Sequence, residues 1–428
     1  MKRMYLHQVK FNGRSVVGGR WLLVLFLLWG MVAMPAQAGD PVLPTEIVHL
    51  NDSLRQLYAP DQRVALFQVD YTCDAHRVML RGVTTSAEAK QALLRGLAER
   101  NYTVMDCLKL LPEAEELKGR CYGIVNVSVC NLRTAADFSS EMSTQALLGM
   151  PVKLLQDEGW YRIQTPDRYI GWVHHVGIYP VTREELTAWN QAEKLIVTAL
   201  YGTVYQEPNL HAQPVSDCVA GNRFKLMGKK KGFYQVAYPD GREGYIAQSL
   251  AQPESIWRRQ LKQDAGSILR TAQQMMGIPY LWAGTSPKGV DCSGFVRTTL
   301  FMHDILIPRD ASQQAYTGEH IDIAPDFSNL QPGDLIFFGK PATPERKERV
   351  IHVAFYLGNK RFIHSQGDVH ISSFDPEDPL FDAYNLGRLL FAARVLPVID
   401  KQPELHTTRT NPFYQLCLHG GISSSRRH

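Results

Sequence analysis

The sequence predicts a multidomain α+β protein: a small N-terminal α+β unit, two small β-barrels in tandem, and a larger α+β domain at the C-terminal end. Three observations predict it. The chain has 428 residues, more than one core usually organises, which suggests two to four units at about 100 to 200 residues each. A strand-turn-strand pattern occurs twice, in GWYRIQTPDRYIGWVHH (159–175) and GFYQVAYPDGREGYIAQ (232–248), so one small domain is present in two copies. From Trp257 onward a helical period comes first and alternating apolar runs come after it, the order of an α+β domain. The composition, 45% hydrophobic, 21% charged and 10% aromatic, is that of a folded chain rather than a fibrous or disordered one. The formal charge is +4, and Lys229, Lys230 and Lys231 form the one basic run beyond the N-terminal segment. That run reads as a solvated turn, and no nucleic-acid partner is expected.

In chain order, residues 1–38 have the layout of a signal peptide. Lys2, Arg3, Lys10, Arg14 and Arg20 precede the apolar run WLLVLFLLWGMVAM (21–34), and the small-residue triplet Ala36-Gln37-Ala38 comes next. Its 14 apolar residues fall short of the ~20 that span a bilayer. Cleavage after Ala38 and no stable membrane anchor are therefore expected, giving a protein that is secreted, periplasmic or associated with the cell envelope. Within 40–120, VALFQVDYT (64–72) reads as a strand, SAEAKQALLRGLAER (86–100) as a helix capped by Ser86, and YTVMDCLKLL (102–111) as a second strand. This is an α+β unit with no assigned role. Residues 121–190 and 194–252 hold the two barrels. Their aromatic-rich strands, Pro-Asp turns and closing Gly-aromatic elements resemble bacterial SH3-like domains, although a generic barrel without a ligand has the same pattern. Residues 260–397 open with SILRTAQQMMG (267–277), a helix with Ile268, Leu269, Ala272, Met275 and Met276 on one side and Gly277 as its stop. Residues 398–428, ending in SSSRRH, read as a loosely ordered tail.

Seven cysteines (Cys73, Cys107, Cys121, Cys130, Cys218, Cys292, Cys417) are an odd number in a compartment that permits disulfides, so one must stay unpaired. No C-x-x-C pair or Cys/His cluster has zinc spacing, and neither a metal nor a cofactor is expected. In GVDCSGF (289–295), Cys292 precedes Phe295, Val296, Thr299, Leu300 and Met302 at helical spacing. It should sit at or just before a helix N-terminus, which lowers a thiol pKa by favouring the thiolate. Gly289 and Gly294 would allow a tight entry and close approach of substrate. An inert buried thiol is the alternative for a lone cysteine. Two segments downstream favour chemistry: VIHVAFYLG (350–358) carries His352, and RFIHSQG (361–367) carries His364. A Gly358-Asn359 turn joins them as antiparallel strands, with the histidines roughly opposite each other. One imidazole can then serve as general base to Cys292 while the other orients it.

Five segments, YLWAG (280–284), VDCSGF (290–295), PRDASQQ (308–314), LQPGDLIFF (330–338) and IHVAFYLG (351–358), resemble the NlpC/p60 cysteine peptidases, a papain-like fold found in bacterial cell-wall hydrolases. The resemblance implies Cys292 as nucleophile, His352 as base and His364 as the third, orienting residue. With two SH3-like domains ahead of it, the layout is similar to the γ-D-glutamyl-L-diamino acid endopeptidases. These cleave peptidoglycan stem peptides with a free N-terminal L-alanine, before either meso-diaminopimelate or L-lysine. That likeness implies Asp291, Ser293, Trp282 and Ser312 in the substrate groove, with Glu141 and Tyr169 of the first barrel capping the free amine. A carboxylate there would reject N-blocked stems. The segment GKPATPERKERV (339–350) is longer than the family pattern and is expected at the groove rim. Two other readings stand beside this one: a thiol amidase or transpeptidase on another substrate, and a murein-binding protein with an idle peptidase domain. The diamino acid and the oligomeric state stay open.

Overall fold

Residues 43–416, the part of the chain described by this computed structural model, hold in order a three-stranded sheet, two seven-stranded sheets, a two-stranded ribbon and a six-stranded sheet. The leader read at 1–38, the cysteine at 417 and the final SSSRRH lie outside the described residues. In the N-terminal unit, a helix (Thr45–Tyr58) and a hairpin (Phe67–Asp74 with Arg77–Thr84) lead into the helix Ala87–Ala98. That helix crosses back to Thr103–Leu110, which runs parallel to Arg77–Thr84. Ser86 caps it as expected, its hydroxyl accepting from the Ala89 amide at 3.0 Å. The strand Arg77–Thr84 has no local turn signal, because its hairpin loop Ala75-His76 contains no glycine or asparagine even though Ala75 takes φ 51°.

Each barrel is built on a seven-stranded sheet, one from Tyr122–Val125 to Ile178–Val181 and the other from Lys194–Val197 to Ala251–Pro253. The two repeated segments form equivalent hairpins, Tyr161–Gln164 with Ile170–Val173 and Phe233–Ala237 with Glu243–Ala247. A helix, Arg183–Gln191, separates the barrels where the β pattern had suggested no helix. Its signal was present: Thr182 and Glu185 form a capping box, the T-x-x-E spacing that starts helices.

The C-terminal domain packs the helices Ala265–Gln274 and Cys292–Phe301 against a six-stranded antiparallel sheet, in which Arg349–Gly358 lies between Leu335–Lys340 and Arg361–Gln366. Phe295, Val296 and Leu300 of the second helix are buried against Phe337, Val353, Phe355 and Ile363 of the sheet. Burying each such side chain stabilises the fold by about 1.5 to 3 kcal/mol, which fixes the helix start over the strand that carries His352. The first barrel docks directly on this domain. The Gln145 side-chain oxygen accepts from the Thr285 amide at 2.9 Å, and Asp167, in the first Pro-Asp turn, pairs with Arg297 at 2.8 Å.

Two expectations are corrected. Residues 398–416 are not loose: Leu405 and Phe413 are buried, and Asn411 donates to the Pro166 carbonyl at 2.9 Å, so the segment straps the peptidase domain to the first barrel. The cysteines do not explain one another by pairing either. Cys73, Cys107, Cys121, Cys130, Cys218 and Cys292 are all free, so no disulfide joins any two of the six described. The odd count therefore does not single out Cys292. Among the described residues, no helix is long and apolar enough to cross a membrane.

Candidate active site

Cys292 is the first residue of its helix, and Asp291 is the N-cap. The Asp291 carboxylate accepts from the Gly294 amide at 2.7 Å and from the Ala283 amide at 3.0 Å, satisfying two donors that would otherwise be orphaned. Arg309, itself buried, grips the same carboxylate through Nη2 at 2.6 Å and Nη1 at 3.2 Å, and its Nη1 also donates to Ser293 Oγ at 2.9 Å. The glycines serve a different purpose from the expected one. A Cβ on Gly294 would lie 1.9 Å from the Gly284 carbonyl oxygen, and one on Gly289 would lie 2.6 Å from Leu281 Cβ. They let the protein close on itself beneath the thiol rather than admit substrate.

His352 and His364 meet, with Nε2 of the first 2.8 Å from Nδ1 of the second. They are diagonal rather than opposite. Phe355 pairs with Ile363, and a bulge between Tyr356 and Gly358 shifts the register, so His352 lies two residues further along the same face than the partner of His364. His364 Nε2 is 3.2 Å from Ser372 Oγ, which gives the chain His352, His364, Ser372 a defined end. Val353, next to His352 in its strand, belongs to the same core cluster as Cys292, so the cysteine packs beside the strand that carries the histidine.

Electrostatics overturn the expected thiolate. Burial, and then the neighbouring Asp291 carboxylate, push the Cys292 thiol up to about 12, outweighing the helix N-terminus whose charge Asp291 already occupies. Burial, with His364, Arg388 and His370 nearby, holds His352 well below the usual imidazole range. Burial beside His370 brings His364 down to about 3. Both partners therefore rest uncharged. Because His352 must be neutral to accept a proton, kcat/KM is expected to stay level as the pH falls through about 6.5, with its acid limb lower. A pH profile of kcat/KM checks this, and an acid limb centred at about 6.5 to 8 would contradict a neutral resting pair.

The thiol opens on a groove of about 800 Å³. Every residue expected in the groove lines it: Trp282, Asp291, Ser293 and Ser312 from the peptidase domain, Glu141 and Tyr169 from the first barrel. Trp282 Nε1 donates to Glu141 Oε1 at 2.7 Å, and the Tyr169 hydroxyl donates to Asp310 Oδ2 at 3.2 Å, so barrel and peptidase domain join in the groove. Asp291 and Ser293 touch the groove, but their polar atoms are taken by Arg309 and the helix start. Lys347, Glu348 and Arg349, from the long segment after Gly339, form part of the wall, as expected of a rim.

Sequence reasoning missed several residues here. Arg309 and Asp310 stand inside the PRDASQQ segment, whose resemblance points to Ser312 alone. Tyr280, in YLWAG, has its hydroxyl held neutral by burial and by the proximity of Cys292 and Asp291. Arg63 comes from the N-terminal unit: its Nη1 donates to Asp310 Oδ2 at 2.7 Å and to Ser312 Oγ at 3.1 Å. No local pattern announces a contact across 247 residues.

Comparison with known proteins agrees with this geometry. The model of the NlpC/P60 family matches residues 277–386, and that of the bacterial dipeptidyl-peptidase SH3 domain matches residues 132–178. A gamma-D-glutamyl-L-lysine dipeptidyl-peptidase of Bacillus cereus is 30% identical over 239 residues, covering 53% of this chain and 68% of the relative. Dipeptidyl-peptidase 6 of Lysinibacillus sphaericus is 26% identical over 271 residues, covering 60% of this chain and 93% of the relative. The crystal structure of an NlpC/P60 family protein from Bacillus cereus superposes with a TM-score of 0.53 at 25% identity, covering 64% of this chain and 100% of that one.

Proposed function

This chain belongs to the NlpC/P60 family of cysteine peptidases and is a cell-wall endopeptidase, and we propose that it hydrolyses the bond between γ-D-glutamate and a diamino acid in stem peptides that start with a free L-alanine. The observation that carries this reading is the junction of the first barrel and the peptidase domain in the groove. Glu141 bonded to Trp282, and Tyr169 bonded to Asp310, bring two carboxylates to the point where a peptide N-terminus would lie. Asp310 is already paired with Arg63, whereas Glu141 has no cationic partner among the described residues. Its carboxylate is therefore the one that favours an ammonium group over an N-blocked chain. The name of the Bacillus cereus relative, a gamma-D-glutamyl-L-lysine dipeptidyl-peptidase, supports the γ-D-glutamyl bond. The leader-like residues 1–38 support action outside the cytoplasm, in the periplasm or cell envelope.

In this reading Cys292 is the nucleophile. If His352 Nε2–H donates to His364 Nδ1, the lone pair of His352 Nδ1 is free to take the thiol proton as sulfur attacks the γ-carbonyl. The negative oxygen is met by the Cys292 amide, because the Gly294 amide is already used by Asp291, and by the Tyr280 hydroxyl. His352 then returns the proton to the departing amine, and water hydrolyses the thioester to release the L-Ala-γ-D-Glu dipeptide and regenerate the thiol. Mass spectrometry of digests tests the reading. L-Ala-γ-D-Glu-diamino acid should be cut between the second and third residues, and its N-acetylated form about 10- to 100-fold more slowly, the worth of a hydrogen bond to a charged group. Glu141→Gln should narrow that ratio. Equal cleavage of free and acetylated tripeptides would sink the free-amine requirement.

A further inference from the structure

The N-terminal unit and the first barrel line a recess of about 280 Å³ that shares Arg63, Thr134, Ser143 and Tyr169 with the groove and so adjoins it. Three arginines line it, Arg63, Arg133 and Arg162, and no aspartate or glutamate does. Of the three, only Arg63 has carboxylate partners, Asp61 and Asp310. Arg133 Nη1 donates to the Ser140 carbonyl at 2.6 Å and Arg162 Nη2 to Gln68 Oε1 at 3.1 Å, both neutral acceptors. The Nε of Arg162 is buried and finds no acceptor among the described residues, while its guanidinium lies over the Trp172 ring at 5.3 Å. The acids nearest in sequence are turned to other partners: Asp137 accepts from Ser139 at 2.6 Å, and Glu158 accepts from Gln156.

A half-buried guanidinium with an orphaned N–H pays for its desolvation without an ion pair to offset it. Arg133 and Arg162 line one concave surface, and among the described residues no carboxylate forms a close ion pair with either, Asp137 and Glu158 acting on them only at longer range. The planar fork of a guanidinium matches the two oxygens of a carboxylate or a phosphate, and Thr134, Ser143 and Gln62 add neutral donors around the same recess. We propose that this recess is an oxyanion-binding site, taking a carboxylate or phosphate group beside the residues it shares with the groove. The N-terminal unit then has a role: through Gln62, Arg63 and Gln68 it completes a site that the barrel alone leaves open.

Isothermal titration of the full-length Cys292→Ala protein tests this, with inorganic phosphate as the free anion and N-succinyl-L-alanine as a carboxylate carried on an acyl group. Saturable one-site binding is expected for at least one probe, weakened at least tenfold in Arg133→Gln/Arg162→Gln and by added salt. Tighter binding of phosphate identifies a free anion as the occupant; tighter binding of the succinyl compound identifies a group carried on a larger ligand. No saturable binding of either, or unchanged binding in the double variant, overturns the proposal. If the double variant does not fold, Arg133→Gln alone should weaken binding severalfold, and unchanged binding there counts equally against it. Arg133 and Arg162 do not line the groove that holds Cys292, so the double variant should still cleave the free-amine tripeptide. Failure of the substrate assignment and failure of this site thus give different results.

Discussion

Cys292→Ala is expected to lower kcat/KM on the free-amine tripeptide by about 10⁴-fold or more while leaving the fold intact, because a nucleophile, its base and its orienting group act as a unit. Cys292 belongs to the domain core and also lines the groove, and losing its sulfur costs about 1 to 2 kcal/mol at most. A melting curve near that of the wild type would show that the lost activity is chemical. His352→Ala should fall nearly as far, and in the Cys292→Ala background it should cost almost nothing further, since the thiol whose proton it accepts is gone. Cys107→Ser is the control: Cys107 is free and exposed and should leave turnover unchanged. An idle peptidase domain, or a thiol that serves only as filler, predicts no such hierarchy. Full turnover in Cys292→Ala would remove the proposed mechanism at once.

Much of the site was legible because its signals are local. The helix after Cys292 declares itself by period, and Asp291 is an ordinary N-cap residue. His352 and His364 flank a Gly-Asn turn, so their strands had to pair. Their final register was not legible, because a bulge at Leu357 that no residue type announces shifts the pairing by one residue and turns both histidines to the same face. Charge was misjudged for a related reason. The helix N-terminus and its effect on a thiol can be inferred from spacing, whereas burial and an adjacent carboxylate depend on what packs around the sulfur. Glu141 and Tyr169 entered by resemblance alone. Arg63 could not enter at all, since it reaches Asp310 and Ser312 through the docking of a whole unit.

Arg309→Met is expected to destabilise the protein by about 3 to 5 kcal/mol, the usual result of removing one partner of a buried ion pair. The side chains of Arg309 and Asp291 are only 1% and 8% exposed, and they lie 2.6 Å apart. Without the guanidinium, a carboxylate fixed in place by two backbone amides is left beside a thiol with no countercharge. It cannot swing to water without uncapping the Cys292 helix, which itself costs about 1 kcal/mol. Replacing both partners, Arg309→Met with Asp291→Leu, removes the stranded charge and should recover part of the loss despite the missing cap. The same logic reaches the chemistry: in Arg309→Met the extra negative charge beside Cys292 raises the cost of forming the thiolate, so turnover should fall even under conditions where the variant is fully folded. An Arg309→Met protein as stable and as active as the wild type would mean that the pair at the helix start supports neither fold nor thiol.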